Sequence, residues 1–309
     1  MIYTVTLNPS LDRTLNVDGL RFDDANRIQW ERRYPGGKGI NVSHVIAELG
    51  GESIALGLVG GYTGEELKGR LRWEGVSFDF TQIEDETRTN IIIYDQARGT
   101  QTELNARGPR IKPQELDNFL EKLRSLRPEP SYVVMSGSIP PGVPKTIYKD
   151  LISLANSKGA RAVLDADGEL LEVSLQAEPF IIKPNVHELG RLCGRKLKDT
   201  GELLEAGKEL KAQGLELVLI SRGGDGLLAL TPEGIFSATS PPVEALSTVG
   251  AGDSALAAFV LEHSRGSPIE ECLKWAAATG AATALTPGVE LCRREDVHRL
   301  LGHVRVERL

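Results

Sequence analysis

The chain has no apolar run approaching the roughly 18 residues that a membrane-crossing helix needs. Cysteine is scarce: Cys193, Cys272 and Cys292 are odd in number and far apart, which leaves neither a disulfide framework nor a zinc spacing. The five histidines are scattered, and His187-Glu188 lacks the second histidine of a zinc peptidase helix. Aromatics are only 5% of residues, and 43 acids against 36 bases give a net charge of −7. A nucleic-acid partner would therefore find neither a basic footprint nor stacking platforms. The G-x-x-x-x-G-K-[ST] phosphate loop is absent throughout, as are internal repeats and low-complexity linkers. The opening Met1-Ile2-Tyr3-Thr4-Val5-Thr6-Leu7 lacks the basic start of a secretory leader and reads as a buried strand. A reducing cytoplasm is the expected location.

What is present fits a single large α/β unit. The 309 residues, 40% of them hydrophobic and 26% charged, allow an ample core. Strands are expected over 2–7, 54–59, 132–136, 162–165, 180–183 and 217–221, from short β-branched runs. Between them Val42, Val45, Ile46 and Leu49 repeat at helical spacing. So do Leu116, Phe119, Leu120 and Leu123 behind Pro113, and Leu203, Leu204, Gly207 and Leu210. Strand–helix alternation implies a mostly parallel sheet covered on both faces. Residues 13–34 and 87–105 break the rhythm with strand-like alternation and turn residues such as Gly99. They are expected to form a small inserted β-sheet that covers the site or pairs with a second subunit, because an open sheet edge is sticky.

The most informative stretch is Gly250-Ala251-Gly252-Asp253-Ser254-Ala255, which leads from Ser247-Thr248 into a small-residue apolar run. Glycines let backbone approach a ligand, and the unpaired N–H groups that open a helix attract anions. A carboxylate in that position suits a site where donors hold a phosphoryl group while the acid meets a hydroxyl. Two other readings stand beside it: a tight turn with a helix cap, and the G-x-G-x-x-A dinucleotide fingerprint, which normally follows the first strand.

Other polar motifs fall where strands end, the usual place for ligands in an open α/β sheet. They are Asn8-Pro9-Ser10-Leu11-Asp12, Gly36-Gly37-Lys38-Gly39-Ile40-Asn41, Ser136-Gly137-Ser138, Asp165-Ala166-Asp167-Gly168, Lys183-Pro184-Asn185-Val186-His187-Glu188 and Ser221-Arg222-Gly223-Gly224-Asp225-Gly226. Gly36-Gly37-Lys38-Gly39 has the composition of a phosphate cradle, or of a glycine-rich connector. Asn185 and Glu188 share one helix face, as a Mg²⁺ pair or as a helix cap with a first-turn acid. Arg27, Arg32 and Arg33 give the inserted sheet a cationic character; Arg32 and Arg33 read as a solvated strand face.

Together these motifs resemble the PfkB carbohydrate kinases of the ribokinase-like superfamily, almost end to end. Gly36-Gly37-Lys38-Gly39-Ile40-Asn41-Val42 looks like the first family signature and Thr248-Val249-Gly250-Ala251-Gly252-Asp253-Ser254 like the second. Thr4-Val5-Thr6-Leu7-Asn8-Pro9-Ser10, Thr87-Arg88-Thr89-Asn90 and Ser136-Gly137-Ser138-Ile139-Pro140 look most like the bacterial 1-phosphofructokinase branch, with the tagatose-6-phosphate kinases nearby. The resemblance implies a three-layer αβα core with a β lid and ATP-dependent phosphorylation of a sugar phosphate. Asp253 matches the catalytic base, and Gly250, Ala251 and Gly252 the anion hole, where the helix terminus is expected to favour an ionised Asp253. Asp12, Gly36, Gly37, Lys38, Asn41, Arg88 and Ser138 match the sugar-phosphate side, and Arg27 a position that reaches the neighbouring subunit's site in a homodimer joined through the lid. Lys183, Asn185 and Ser221, Arg222, Gly223, Gly224, Asp225 and Gly226 match the nucleotide side, with Asn185, Glu188 and Asp165 toward Mg²⁺. Arg222 replaces an uncharged family residue, and Asp165-Ala166-Asp167-Gly168 keeps the acid but not the hydroxyls of the family loop.

Overall fold

Runs such as Ile2-Tyr3-Thr4-Val5-Thr6 and Leu217-Val218-Leu219-Ile220 are buried at consecutive positions, so both faces of their strands require cover. The computed structural model describes residues 1–309 and provides that cover with two helical layers around a large sheet. The strands are β1 (Ile2–Thr6), β2 (Ser10–Val17), β3 (Ile28–Gly36), β4 (Ser53–Gly60), β5 (Thr81–Ile83), β6 (Arg88–Asp95) and β7 (Thr100–Leu104). They continue as β8 (Tyr132–Ser136), β9 (Arg161–Asp165), β10 (Ile181–Ile182), β11 (Leu217–Ser221), β12 (Leu227–Thr231), β13 (Gly234–Ala238) and β14 (Val306–Arg308). The helices are α1 (Lys38–Glu48), α2 (Gly61–Trp73), α3 (Pro113–Arg124), α4 (Ile147–Ser157) and α5 (Glu169–Ser174). Then come α6 (Val186–Leu192), α7 (Thr200–Lys211), α8 (Ala251–Ser264), α9 (Ile269–Ala284) and α10 (Arg294–Leu301).

The ten-stranded sheet runs β14-β13-β12-β11-β10-β9-β8-β1-β4-β5. It is parallel from β5 to β11 and antiparallel from β11 to β14. On one face Phe119, Tyr148, Leu151, Leu189 and Leu210 bring α3, α4, α6 and α7 onto the sheet. On the other, Val45, Ile46, Phe259, Leu273 and Val297 seat α1, α8, α9 and α10. Each such side chain, fully buried, contributes about 1.5–3 kcal/mol. This is the expected ribokinase-like three-layer architecture. No helix is long and apolar enough to cross a membrane.

Residues 180–183 give only Ile181–Ile182 as strand, because Lys183 turns toward the cleft described below. The β12–β14 edge of the sheet is antiparallel and carries little pattern signal in the sequence. Leu227–Thr231 is buried at every position, so it offers no alternation, and its hairpin turns on Pro232-Glu233. The interrupting segments form a separate four-stranded sheet, β3-β2-β6-β7, with β2 parallel to β6. Its outer strand β7 is exposed throughout.

Candidate active site

Small residues shape the start of α8. Gly250 precedes it with φ 76°, a left-handed backbone that favours glycine, and a Cβ there would stand 2.7 Å from Leu291 Cδ2. The turn leaves the N–H groups of Gly252 and Asp253 without an acceptor in the chain. That of Ala251 donates to Thr248 O at 3.3 Å, whereas that of Gly250, like those of Gly252 and Asp253, has no acceptor in the chain. These donors face a cleft of about 890 Å³ at the carboxyl ends of the parallel strands.

Asp253 sits in this terminus, 6% exposed, and its Oδ2 accepts a hydrogen bond from Asn41 Nδ2 at 2.8 Å. Asn41 arrives on α1, whose close approach to β1 needs Gly37: its φ is 121°, and a Cβ would meet Thr6 Cγ2 at 2.6 Å. Burial pushes the Asp253 carboxyl up to about 6; Lys38, Asn41 and Lys183 oppose this while Asp165 adds to it. Burial thus outweighs the help toward ionisation expected from the helix terminus.

Asp165, 1% exposed, lies between two ammonium groups, Lys38 Nζ at 3.0 Å and Lys183 Nζ at 3.1 Å. Burial alone would push its carboxyl up, but Lys183 and Lys38 hold it below the ordinary carboxylate range. Where a metal-holding role was expected for Asp165, the structure shows its carboxylate paired with two lysines. Its two oxygens already face cations, and no three acidic, histidine or cysteine side chains converge anywhere in the chain.

At the other end, Asp12 Oδ1 accepts from Ser10 Oγ at 2.7 Å and Asn90 Nδ2 at 2.8 Å. Burial raises its pKa against those two bonds. Gly36 does not line the cleft; it backs Asp12, and a Cβ there would stand 2.3 Å from Asp12 Oδ2. Arg88 reaches the cleft but spends donors on backbone, Asn8 O at 2.8 Å and Ala106 O at 2.8 Å. Ser138 lines the same end, with Asn8 Nδ2 3.4 Å from its hydroxyl. Sequence reasoning had missed Asn90, Glu103 and Asn105 as lining residues; the β6 motif Thr87-Arg88-Thr89-Asn90 was the available signal for the first.

Toward β11, Ser221, Gly223, Gly224 and Gly226 line the cleft, whereas Arg222 and Asp225 do not. Arg222, partly exposed, donates from Nη2 to Asp225 O at 2.9 Å and Ser237 Oγ at 3.2 Å, bonds that brace its own loop. Asn185 and Glu188 form a reciprocal cap at the start of α6: Glu188 N donates to Asn185 Oδ1 at 2.9 Å, and Asn185 N to Glu188 Oε2 at 2.8 Å. Both still line the cleft beside Lys183. The opposite wall is an apolar slot from Ala276, Ala277, Gly280 and Ala281 of α9, unforeseen because an alanine-rich helix reads as plain core. Arg27 is exposed, makes no hydrogen bond or ion pair, and lies outside its own chain's cleft. Arg32 and Arg33, read as solvated, pair with Glu290 and with Glu31 and Glu66.

Residues 6–296 match the pfkB family carbohydrate kinases. The chain is 40% identical over its whole length, and the whole of the relative, to the 1-phosphofructokinase of Bacillus subtilis strain 168. It is 35% identical to the D-tagatose-1-phosphate kinase of Bacillus licheniformis across 94% of each chain. Among solved structures, phosphofructokinase-2 of Escherichia coli in complex with potassium superposes with a TM-score of 0.93, at 34% identity over 97% of this chain and 98% of that one. A free helix terminus holding a buried aspartate, set in a strand-end cleft of this shape, and full-length matches of this kind have one explanation: the chain belongs to the PfkB family of carbohydrate kinases.

Proposed function

We propose that this kinase transfers the γ-phosphoryl of ATP to the 6-hydroxyl of fructose 1-phosphate, giving fructose 1,6-bisphosphate. The observation that carries the chemistry is Asp253, buried and fixed by Asn41 beside the free N–H groups of Gly252 and Asp253. The full-length similarity to a 1-phosphofructokinase carries the substrate. Residues 1–309 act as one kinase domain, with the β2-β3-β6-β7 sheet as its lid.

In this reading the nucleotide base enters the small-residue slot of α9, and the glycines 223, 224 and 226 let its phosphates pass close to backbone. Lys183 Nζ stands 3.2 Å from where a Gly252 Cβ would be, so its charge meets the phosphoryl group at the anion hole. Lys38 approaches from the sugar side. Asp12, oriented by Ser10 and Asn90, accepts from sugar hydroxyls, and Arg88 with Ser138 frames the substrate's own phosphate. Phosphoryl transfer is loose, so positioning and charge matter more than nucleophile activation. Asp253 orients the acceptor hydroxyl and takes its proton at Oδ1 or Oδ2 as the bond to phosphorus forms.

Mg²⁺ fits the cleft in one way. With no cluster of three acidic ligands, it would rest on Glu188, with Asn185 beside it, mainly through water and nucleotide oxygens. When bound it neutralises charge on the phosphate oxygens. Arg27 and the exposed Phe22, Ile28, Trp30 and Leu104 of the lid region support a homodimer in which Arg27 serves the neighbouring site. Three free cysteines fit a cytoplasmic location. The test is a coupled ADP-release assay with Mg-ATP across fructose 1-phosphate, fructose 6-phosphate, tagatose 1-phosphate and tagatose 6-phosphate. Preference for fructose 1-phosphate is expected; preference for any other ester removes the substrate assignment.

A further inference from the structure

The mechanism above uses Lys38 and Lys183 but gives no role to the acid between them. Asp165 ends β9 beneath the cleft, 1% exposed, and does not line the cleft itself. Its Oδ1 accepts from Lys38 Nζ at 3.0 Å, and its Oδ2 lies 3.1 Å from Lys183 Nζ. Lys38 opens α1, and Lys183 is the residue after β10. Lys183 is only 5% exposed. An ammonium that deep is costly without a paired charge, and two ammoniums that close repel each other unless an anion stands between them.

We propose that Asp165 is a positioning residue, the shared counter-ion that aims Lys38 and Lys183 at the transferring phosphoryl group, and not a ligand of the metal. Two ammoniums against one carboxylate leave one net positive charge, which a phosphoryl oxygen completes. An aspartate that bound a metal directly would set that metal against the two lysine charges already facing its oxygens. Asp165 also acts on the base through space. The charged groups bearing on Asp253 are Lys38, Asp165 and Lys183, with Asn41 on its carboxylate, and of these Asp165 alone raises its pKa. Removing the charge of Asp165 therefore lets both lysines ease Asp253 toward its ionised form.

The inference rests on the kinase reading for its kinetic arm only. A labelling arm needs no turnover and keeps the two failures distinguishable. Wild-type protein, without nucleotide, is treated with acetic anhydride at pH 9 and each lysine is quantified by mass spectrometry. Lys38 has a side chain 39% exposed, yet Asp165 foremost, with Asp253 and Glu188 adding to it, holds its pKa above the ordinary lysine range, so it is expected to label well below lysines of similar exposure. In Asp165→Asn its rate should rise at least about fivefold, because the paired charge is gone. In the kinetic arm Asp165→Asn should lose roughly 10² in kcat, as displaced preorganised charges do. Its free Mg²⁺ requirement should stay within about twofold, since the metal rests elsewhere. The acid limb of kcat/KM should move to lower pH. Asp165→Glu keeps the charge and should leave Lys38 protected. Ordinary labelling of Lys38 in the wild type overturns the proposal without any variant. So does an Mg²⁺ requirement raised tenfold or more with the acid limb unmoved, or a loss of thermal stability with labelling, kcat and limb all unchanged.

Discussion

The ionisation of Asp253 makes the pH profile the most informative perturbation. Its carboxyl is pushed from an ordinary 3.8 up to about 6, chiefly by burial. The form that accepts a proton is the ionised one, so activity is present above that value and lost as pH falls through it. With a pKa of about 6, roughly 99% of the carboxyl is ionised at pH 8 and about 9% at pH 5, a tenfold fall. With an ordinary carboxylate, more than about 90% would still be ionised at pH 5. A phosphate monoester also has a second pKa near 6, so the substrate contributes a limb of its own. The assay is therefore kcat/KM for fructose 1-phosphate from pH 5 to 8.5, by stopped-time ADP measurement free of coupling enzymes. It is run on the wild type and on the residual activity of Asp253→Asn. The limb that disappears in the variant belongs to Asp253. Identical limbs in both proteins would refute the reasoning, as would a wild-type profile flat down to pH 5.

Three further outcomes follow from the geometry. Asp253→Asn keeps the Asn41 contact within reach of an amide and should fold, while kcat falls by roughly 10² to 10⁴, as expected for a lost general base; turnover within a few-fold of wild type contradicts that role. Gly36→Ala drives a methyl to 2.3 Å from Asp12 Oδ2, and displacing that carboxylate should cost about 1.5–3 kcal/mol, roughly 10- to 100-fold in kcat/KM for the sugar with little change in KM for ATP. Light scattering at micromolar concentration should give a dimer for the wild type, and Arg27→Ala should remain dimeric while its sugar-phosphate KM rises; an unchanged KM removes Arg27 from the neighbouring site.

The sequence announced most of this layout through two kinds of signal. Continuous apolar runs located β8 and β11 to the residue, and Pro113 marked the first residue of α3. Loops rich in Gly, Asp and Asn located the strand ends, and five of the six contribute residues to the cleft. The sixth, at Asp165, shows what pattern reading misses. A buried acid looks the same in sequence whether it meets a metal or two lysines, because its partners come from the start of α1 and from just after β10, more than a hundred residues and about twenty residues away. The bracing role of Arg222 is hidden for a related reason: its acceptors, Asp225 O and Ser237 Oγ, come together only once the β12–β13 hairpin closes on its loop. The α9 slot was invisible because alanine and glycine that admit a ligand cannot be told by composition from alanine and glycine that admit another helix.

The most direct test of the account is the comparison of kcat/KM with Mg-ATP for fructose 1-phosphate, fructose 6-phosphate, tagatose 1-phosphate and tagatose 6-phosphate. The account predicts at least tenfold preference for fructose 1-phosphate, about 1.4 kcal/mol of transition-state discrimination. Equal or better turnover of another ester would contradict the substrate, and no turnover of any ester would contradict the assignment of Asp253 as a working base.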